Sequence, residues 1–152
     1  EQLDALLGPI RAKSRELDAQ AGRNVPLLVK IAPDMSEEEV ALVAGSIARN
    51  ELDGVIATNT TVSRDAVSDD PQAQEAGGLS GKPVFEASNT VIRLLRAHLP
   101  TLPIIGVGGI DSGEAAKAKM AAGADLVQLY SGLIYQGPAL VQQCAKALKQ
   151  GE

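Results

Sequence analysis

Residues 103–114 read PIIGVGGIDSGE. A short apolar run, Pro103 to Val107, stops at Gly108-Gly109, and a helix N-terminus follows at once, with Asp111 and Glu114 at capping-box spacing. This is a strand, a tight turn and a helix, one β/α unit. The helix is expected near 112–122, closed by Gly123. The same pattern recurs in both directions along the chain. Upstream, Pro26 to Ala32 (PLLVKIA) has a β-branched centre and reads as a buried strand. Ser36-x-x-Glu39 then opens a helix in which Val40, Val43, Ala44 and Ile47 fall at i, i+3, i+4 and i+7. Gly54 to Thr58 (GVIAT) reads as a second buried strand, and a helix near 85–98 separates it from the third. Downstream, Leu126 to Tyr130 (LVQLY) is a fourth strand. A last helix is expected near 138–149, with Pro138 in its first turn and Val141, Cys144, Ala145 and Leu148 inward. At the other end, Leu3, Leu6, Leu7 and Ile10 share one helical face, which Gly8-Pro9 is expected to kink or restart.

Strands separated by helices run parallel and are covered by helices, so the fold class is α/β, with about four parallel strands alternating with helices. A doubly wound open sheet and a barrel of β/α units both fit. A barrel takes eight units in roughly 250 residues, and four units are half of one. The chain is then an open sheet, part of a barrel, or one of two copies that complete a barrel. A half-barrel leaves strands near 27–32 and 126–130 with unpaired edges, which invites self-association. Residues 1–152 read as a single partial domain. One connection is abnormal: from Thr60 to about Val84 the chain is polar, with Asp65, Asp69-Asp70-Pro71 and Gly77-Gly78. So long an irregular segment is usually functional or mobile. It follows the carboxyl end of a strand, the side on which parallel α/β folds keep their sites. With few apolar residues to anchor it, segment 61–84 is expected to be mobile without ligand.

Composition narrows the function. Of 152 residues, 45% are hydrophobic and 22% charged, as in a soluble globular domain. The net charge of -5 argues against a general nucleic-acid or anionic-membrane surface, though not against a local anion pocket. Aromatics amount to Phe85, Tyr130 and Tyr135, too few for a single-strand stacking platform. One cysteine, Cys144, excludes an internal disulfide and a cysteine metal site; on its helical stripe it reads as core. There is no HExxH, Walker loop or GxSxG, and no apolar run approaches a membrane span. The first residues lack the basic start of a secretory signal.

A few residues stand out. Lys30 sits inside the apolar run Leu27 to Ile31. An ammonium there either snorkels to a sheet edge or is aimed into a pocket, near charge that develops on a ligand. Thr58-Asn59-Thr60-Thr61 follows the second strand and offers neutral donors and acceptors, or else turn caps. Gly77-Gly78-Leu79-Ser80-Gly81, Gly106-Val107-Gly108-Gly109 and Tyr130-Ser131-Gly132 are small-residue loops. Two of them end the last two strands and precede helices, where barrel enzymes commonly hold a phosphate. His98, near a helix C-terminus, reads as a surface residue, and Asp34 as turn chemistry.

Taken in order, VKIAPD (29–34), DGVIATNTT (53–61), GGLSGKP (77–83), PIIGVGGI (103–110) and LVQLYSG (126–132) resemble dihydroorotate dehydrogenase, most closely its membrane-associated, quinone-dependent class. The resemblance runs from about Asn24 to Leu148. It implies the C-terminal half of an FMN-binding (β/α)8 TIM barrel. It implies flavin contacts from Lys30, Thr58, Gly81, Gly109, Tyr130 and Ser131, with Lys30 at the pyrimidine edge and the glycines, Tyr130 and Ser131 around the ribityl phosphate. Asn59 and Thr60 are the implied substrate pair for dihydroorotate or orotate. In the family a base takes a proton, the flavin takes a hydride, and a quinone takes the electrons. The family's base is a serine on an earlier segment, and no serine here occupies that motif, Ser80 and Ser131 included. The implied chain is inactive alone. The quinone reaches it through a missing N-terminal part, and the full protein sits on the cytoplasmic side of the cell membrane while this part is soluble. The alternatives are another phosphate-binding barrel enzyme, of isomerase or aldolase type, and a non-catalytic, self-associating half-barrel.

Overall fold

The structure, a computed structural model, describes residues 2–149. Four short strands, β1 (Leu28–Ile31), β2 (Gly54–Ala57), β3 (Ile104–Val107) and β4 (Leu126–Gln128), form one parallel sheet in the order β1-β2-β3-β4. That order decides between the two architectures. A doubly wound sheet reverses its strand order at a switch point. Here each strand lies beside its predecessor in the chain, as in a β/α barrel. The helices are α1 (Gln2–Ala21), α2 (Glu37–Arg49), α3 (Phe85–His98), α4 (Gly113–Ala121), α5 (Ser131–Gln136) and α6 (Ala139–Lys149). The fold is α/β with the strand order of half a barrel, and β1 and β4 form its two edges.

Register gives the sheet two unlike faces. Val29 pairs with Val55, and Val55 with Ile104. Val55 and Ile104 are fully buried in the main core with Ile47 of α2 and Ile92 and Leu95 of α3. One residue along, Lys30, Ile56, Ile105 and Leu126 pair in a row and point the other way. On that face Ile56 and Ile105 are half-buried, and Lys30 and Leu126 are exposed. In a closed barrel this face is the interior. The expectation of a buried first strand is therefore corrected. β1 is an edge strand, only Ile31 of it is buried, and Lys30 stands on the open face.

Helix starts follow their caps. Ser36 accepts from the Glu39 amide, and the Glu39 carboxylate accepts from the Ser36 amide, as the capping box requires. At α4 the cap is Ser112, which accepts from Ala115 N, not Asp111. Asp111 pairs instead with Lys82 at 2.9 Å. α1 runs unbroken through Pro9, which corrects the expected restart. Leu7 is buried and Leu3 packs against the core, while Leu6 and Ile10 are exposed. α1 is held in addition by polar pairs: Asp4 accepts from Ser46 Oγ at 3.1 Å and Asn50 Nδ2 at 2.9 Å, and Arg49 bonds the same carboxylate. The Arg49 hydrogen bond, first among several, holds the Asp4 carboxyl down to about 2. On α6 the buried stripe is Leu140 and Cys144, with Leu148 against them, at i, i+4 and i+8; Val141 and Ala145 lie one position to its side and are exposed.

The same clamp occurs twice at the amino edge of the sheet. Asp53, just before β2, accepts from the Leu27 amide at 2.7 Å and donates its own amide to Leu27 O at 3.0 Å. Asp125, just before β4, does the same with Ile104, at 2.7 and 2.8 Å. Each carboxylate is also paired with an arginine, Arg11 at 2.8 Å and Arg96 at 2.6 Å. The clamps set the stagger of β1 on β2 and of β3 on β4.

Candidate functional site

Each strand brings a group to the carboxyl edge of the sheet. β1 supplies Lys30. After β2 the Thr58 amide donates to Val107 O at 3.0 Å and the Asn59 amide to Ile31 O at 2.7 Å. These bonds tie the end of β2 to both neighbours. They bury Thr58 and leave Asn59 and Thr60 exposed on the rim. β3 runs into Gly108 and Gly109, with φ of +116° and +70°. A side chain is disfavoured at such angles, and here the space is also taken. A Cβ on Gly109 would lie 2.5 Å from Phe85 Cβ, and one on Gly108 3.0 Å from Ser88 Oγ. The glycine turn therefore lies flat against the start of α3. After β4, Ser131 Oγ donates to Ser80 Oγ at 2.8 Å, joining α5 to the end of the long loop. A Cβ on Gly81 would stand 3.7 Å from Ser131 Cβ, ordinary van der Waals contact, so the two loops lie side by side.

These groups share one cavity of about 240 Å³. Lys30, Thr58, Asn59, Thr60, Gly81, Gly109, Tyr130 and Ser131 all line it, so the structure brings every expected site residue together. Lys30 is the one charged residue among its described lining residues, and no carboxylate joins it, in a chain of net charge -5. A cavity of about 580 Å³ adjoins it across Gly81, Gly109 and Ser131, and Lys82 and Asp111 line that one. The pair of spaces suits an elongated anion, with donors along one wall and a cation at the sheet end. Ser80 and Gly108 of the small-residue loops also line the first cavity, as does Gln128, which the sequence did not single out. Gln128 was detectable: two residues beyond Leu126, it points to the same face.

A second cation lies behind the glycine turn. Lys119 of α4 is 0% exposed. Its Nζ donates to Ser88 Oγ at 2.5 Å and to Phe85 O at 3.5 Å, and lies 4.7 Å from the Phe85 ring centre. Its stem runs beneath Gly106, where a Cβ would collide with it. Burial pushes its ammonium pKa down to about 8. The signal in the sequence was Ala116-x-x-Lys119, an inward helical spacing on which a lysine reads as surface until the sheet is seen to leave it a slot at Gly106.

The remaining candidates take structural places. Asp34 is indeed turn chemistry: Thr61 Oγ1 donates to it, and the Val62 amide does so at 2.9 Å, fixing the start of the long loop. His98 is exposed at the end of α3. Cys144 is buried among Ile110, Ala116 and Leu140, and burial pushes its thiol up. The long loop carries two single-turn 3₁₀ helices, Asp65–Val67 and Lys82–Val84, and a bridge between Thr61 and Leu79. Its centre is gathered by Arg64, whose guanidinium donates to the carbonyls of Ala73, Glu75 and Gly77. Among the described residues, no three His, Cys, Asp or Glu side chains are grouped to hold a metal ion.

The family profile described as dihydroorotate dehydrogenase matches residues 6–151. Proteins named dihydroorotate dehydrogenase (quinone) from Burkholderia mallei (strain SAVP1) and Burkholderia pseudomallei (strain 1710b) are each 60% identical, over 99% of this chain and 44% of their own length. The chain thus spans less than half the length of these curated relatives. The crystal structure of DHODH in complex with ferulenol from Eimeria tenella superposes with a TM-score of 0.88 at 29% identity, over 96% of this chain and 43% of that one. The ligand-free DHODH structure from Eimeria tenella gives 0.78 at 35% identity, over 84% and 36%.

Proposed function

The chain belongs to the dihydroorotate dehydrogenase family, and from that premise we propose that it is the carboxyl-terminal half of a flavin barrel that oxidises dihydroorotate to orotate and passes the electrons to a quinone. One observation carries this reading. A single cavity at the carboxyl edge of the sheet holds one cation, no carboxylate among its described lining residues, and strand-end loops of small residues. FMN fits that donor set, and when bound it supplies the hydride acceptor.

The residues then divide by position. Lys30, on the open face, favours negative charge at the sheet end of the cavity. Thr58 is buried and fixed by its amide to Val107 O, so it offers a rigid contact beside Lys30. Gly109, Gly81, Tyr130 and Ser131 border the end of the cavity where a phosphate is held by main-chain donors and a hydroxyl. Asn59 and Thr60, exposed on the rim, orient the substrate's amide and carboxylate edges. Residues 61–84 form the loop on the active-site side, with Thr61 and Leu79 pinning its base below the substrate pair.

The base that takes the substrate proton lies in the half that this chain does not span, as does the part that receives the quinone. The whole protein sits on the cytoplasmic side of the cell membrane; among the described residues no helix is long and apolar enough to cross one. The test supplies the other half. The chain is mixed with the amino-terminal part of a Burkholderia relative, and dihydroorotate-dependent reduction of a soluble quinone analogue is followed. Activity in the mixture and none from the chain alone is the expected result. Turnover by the chain alone overturns the placement of the base, and a folded mixture without turnover overturns the function.

A further inference from the structure

Buried cations are normally neutralised by a carboxylate. Lys119 is fully buried, yet among the described residues its ammonium meets a hydroxyl, a carbonyl and a ring face. It reaches both glycine loops through two residues of α3, Phe85 and Ser88. Phe85 O, which it bonds, belongs to the residue that follows the Lys82–Val84 turn after Gly81, and Gly109 leans on the same residue, its virtual Cβ 2.8 Å from Phe85 Cα. Ser88 Oγ, its closest partner, lies against Gly108. On their other side, Gly81, Gly108 and Gly109 face the cavity. One ammonium therefore stands behind both loops, with Phe85 and Ser88 between it and the cavity end proposed for the phosphate.

We infer that Lys119 is a positioning residue for an anionic ligand group: its charge, acting through Ser88 and the first turn of α3, holds the two glycine loops around a phosphate and makes the cavity prefer a phosphate-bearing ligand. The inference rests on the flavin reading of the cavity. Among the described residues no carboxylate lies within ion-pair distance of the ammonium, and Glu86, next to Phe85, acts on it only from farther off; the phosphate is then the anion that completes its neutralisation.

The test is a titration of this chain with FMN and with riboflavin, which lacks the phosphate, in the wild type, Lys119→Gln and Lys119→Met. Glutamine keeps hydrogen bonds to Ser88 and Phe85 O without the charge; methionine keeps only the bulk. The wild type is expected to bind FMN more tightly than riboflavin. Both variants should lose about tenfold in FMN affinity, the size of one charge-assisted contact, with riboflavin binding changed by less than about twofold. Equal loss for both flavins, or loss of folding in both variants, assigns Lys119 a purely structural part and overturns the inference while leaving the flavin reading in place. A folded wild type that binds neither flavin overturns the flavin reading, and the inference with it.

Discussion

Lys30 and Lys119 show how the same residue type takes two parts according to where the backbone puts it. Lys30 is exposed on the open face and contributes little to folding, so Lys30→Ala should change unfolding free energy by less than about 0.5 kcal/mol. In the reconstituted enzyme it should slow flavin reduction by about tenfold or more, as stopped-flow absorbance would read. Lys119 is the reverse case. Its unfolded form keeps a proton up to about pH 10.5 and its folded form only to about pH 8, so between these values the unfolded chain holds more protons and stability rises with pH. Below about pH 8 the cost of the buried charge is fully present. Burial sets this shift, with Glu86 opposing and Arg93 reinforcing it. Urea midpoints across that window should climb in the wild type and climb less in Lys119→Met. Gly109→Ala combines a positive φ with a Cβ 2.5 Å from Phe85 Cβ, and should cost about 1–3 kcal/mol and weaken any flavin bound at that turn. Of these residues, Lys30, Gly109 and the Asn59-Thr60 pair were legible from the sequence, because each interrupts a pattern. Lys119 was not: a lysine on a helix rich in alanine interrupts nothing, and only Gly106 on a strand distant in sequence makes its slot.

At the scale of elements, sequence periodicity placed all four strands and the caps of α2, and missed α5, a single turn and a half whose residues are mostly exposed and carry no apolar stripe. Pro9 was read as an interruption because a proline in a helix interior removes one hydrogen bond. α1 continues because Leu7, Arg11 and Asp4 anchor it on both sides of that point. The paired clamps, Arg11–Asp53–Leu27 and Arg96–Asp125–Ile104, were invisible in one dimension, since the arginines lie 42 and 29 residues from their aspartates and the aspartates 26 and 21 residues from the amides they hold. Arg11→Ala should cost about 1–3 kcal/mol, because it strips a half-buried carboxylate that also holds a strand amide. The Arg11 and Leu27 hydrogen bonds hold the Asp53 carboxyl below its ordinary value. Its contribution is therefore complete above about pH 4 and lost as pH falls through that lowered value, and Arg11→Ala should flatten this acid limb of the stability curve. In the long loop, Arg64 replaces an apolar anchor with carbonyl bonds; Arg64→Ala should speed proteolysis within residues 61–84 and leave cleavage elsewhere unchanged.

For the whole molecule, the sequence allowed an open sheet, part of a barrel, or one of two copies completing a barrel; the strand order removes the open doubly wound sheet and keeps the half-barrel. The isomerase or aldolase alternative does not survive the family match. The two edges expected from the sequence, near 27–32 and 126–130, are the edges of the observed sheet. β1 and β4 present unpaired edges, and the open face carries Leu126 at 61% and Tyr130 at 73% exposed. We propose that purified chains associate through these edges, so that sedimentation at rising concentration gives species heavier than 15.7 kDa. We propose that the cavity uniting Lys30, Asn59, Gly81, Gly109 and Ser131 holds FMN. Its most direct test is titration of the folded chain with FMN, read by flavin fluorescence, beside the Gly109→Ala variant. Saturable binding to the wild type, weakened in the variant, is expected. A folded wild-type chain that leaves the flavin signal unchanged, or a variant that binds as well as the wild type, would contradict it.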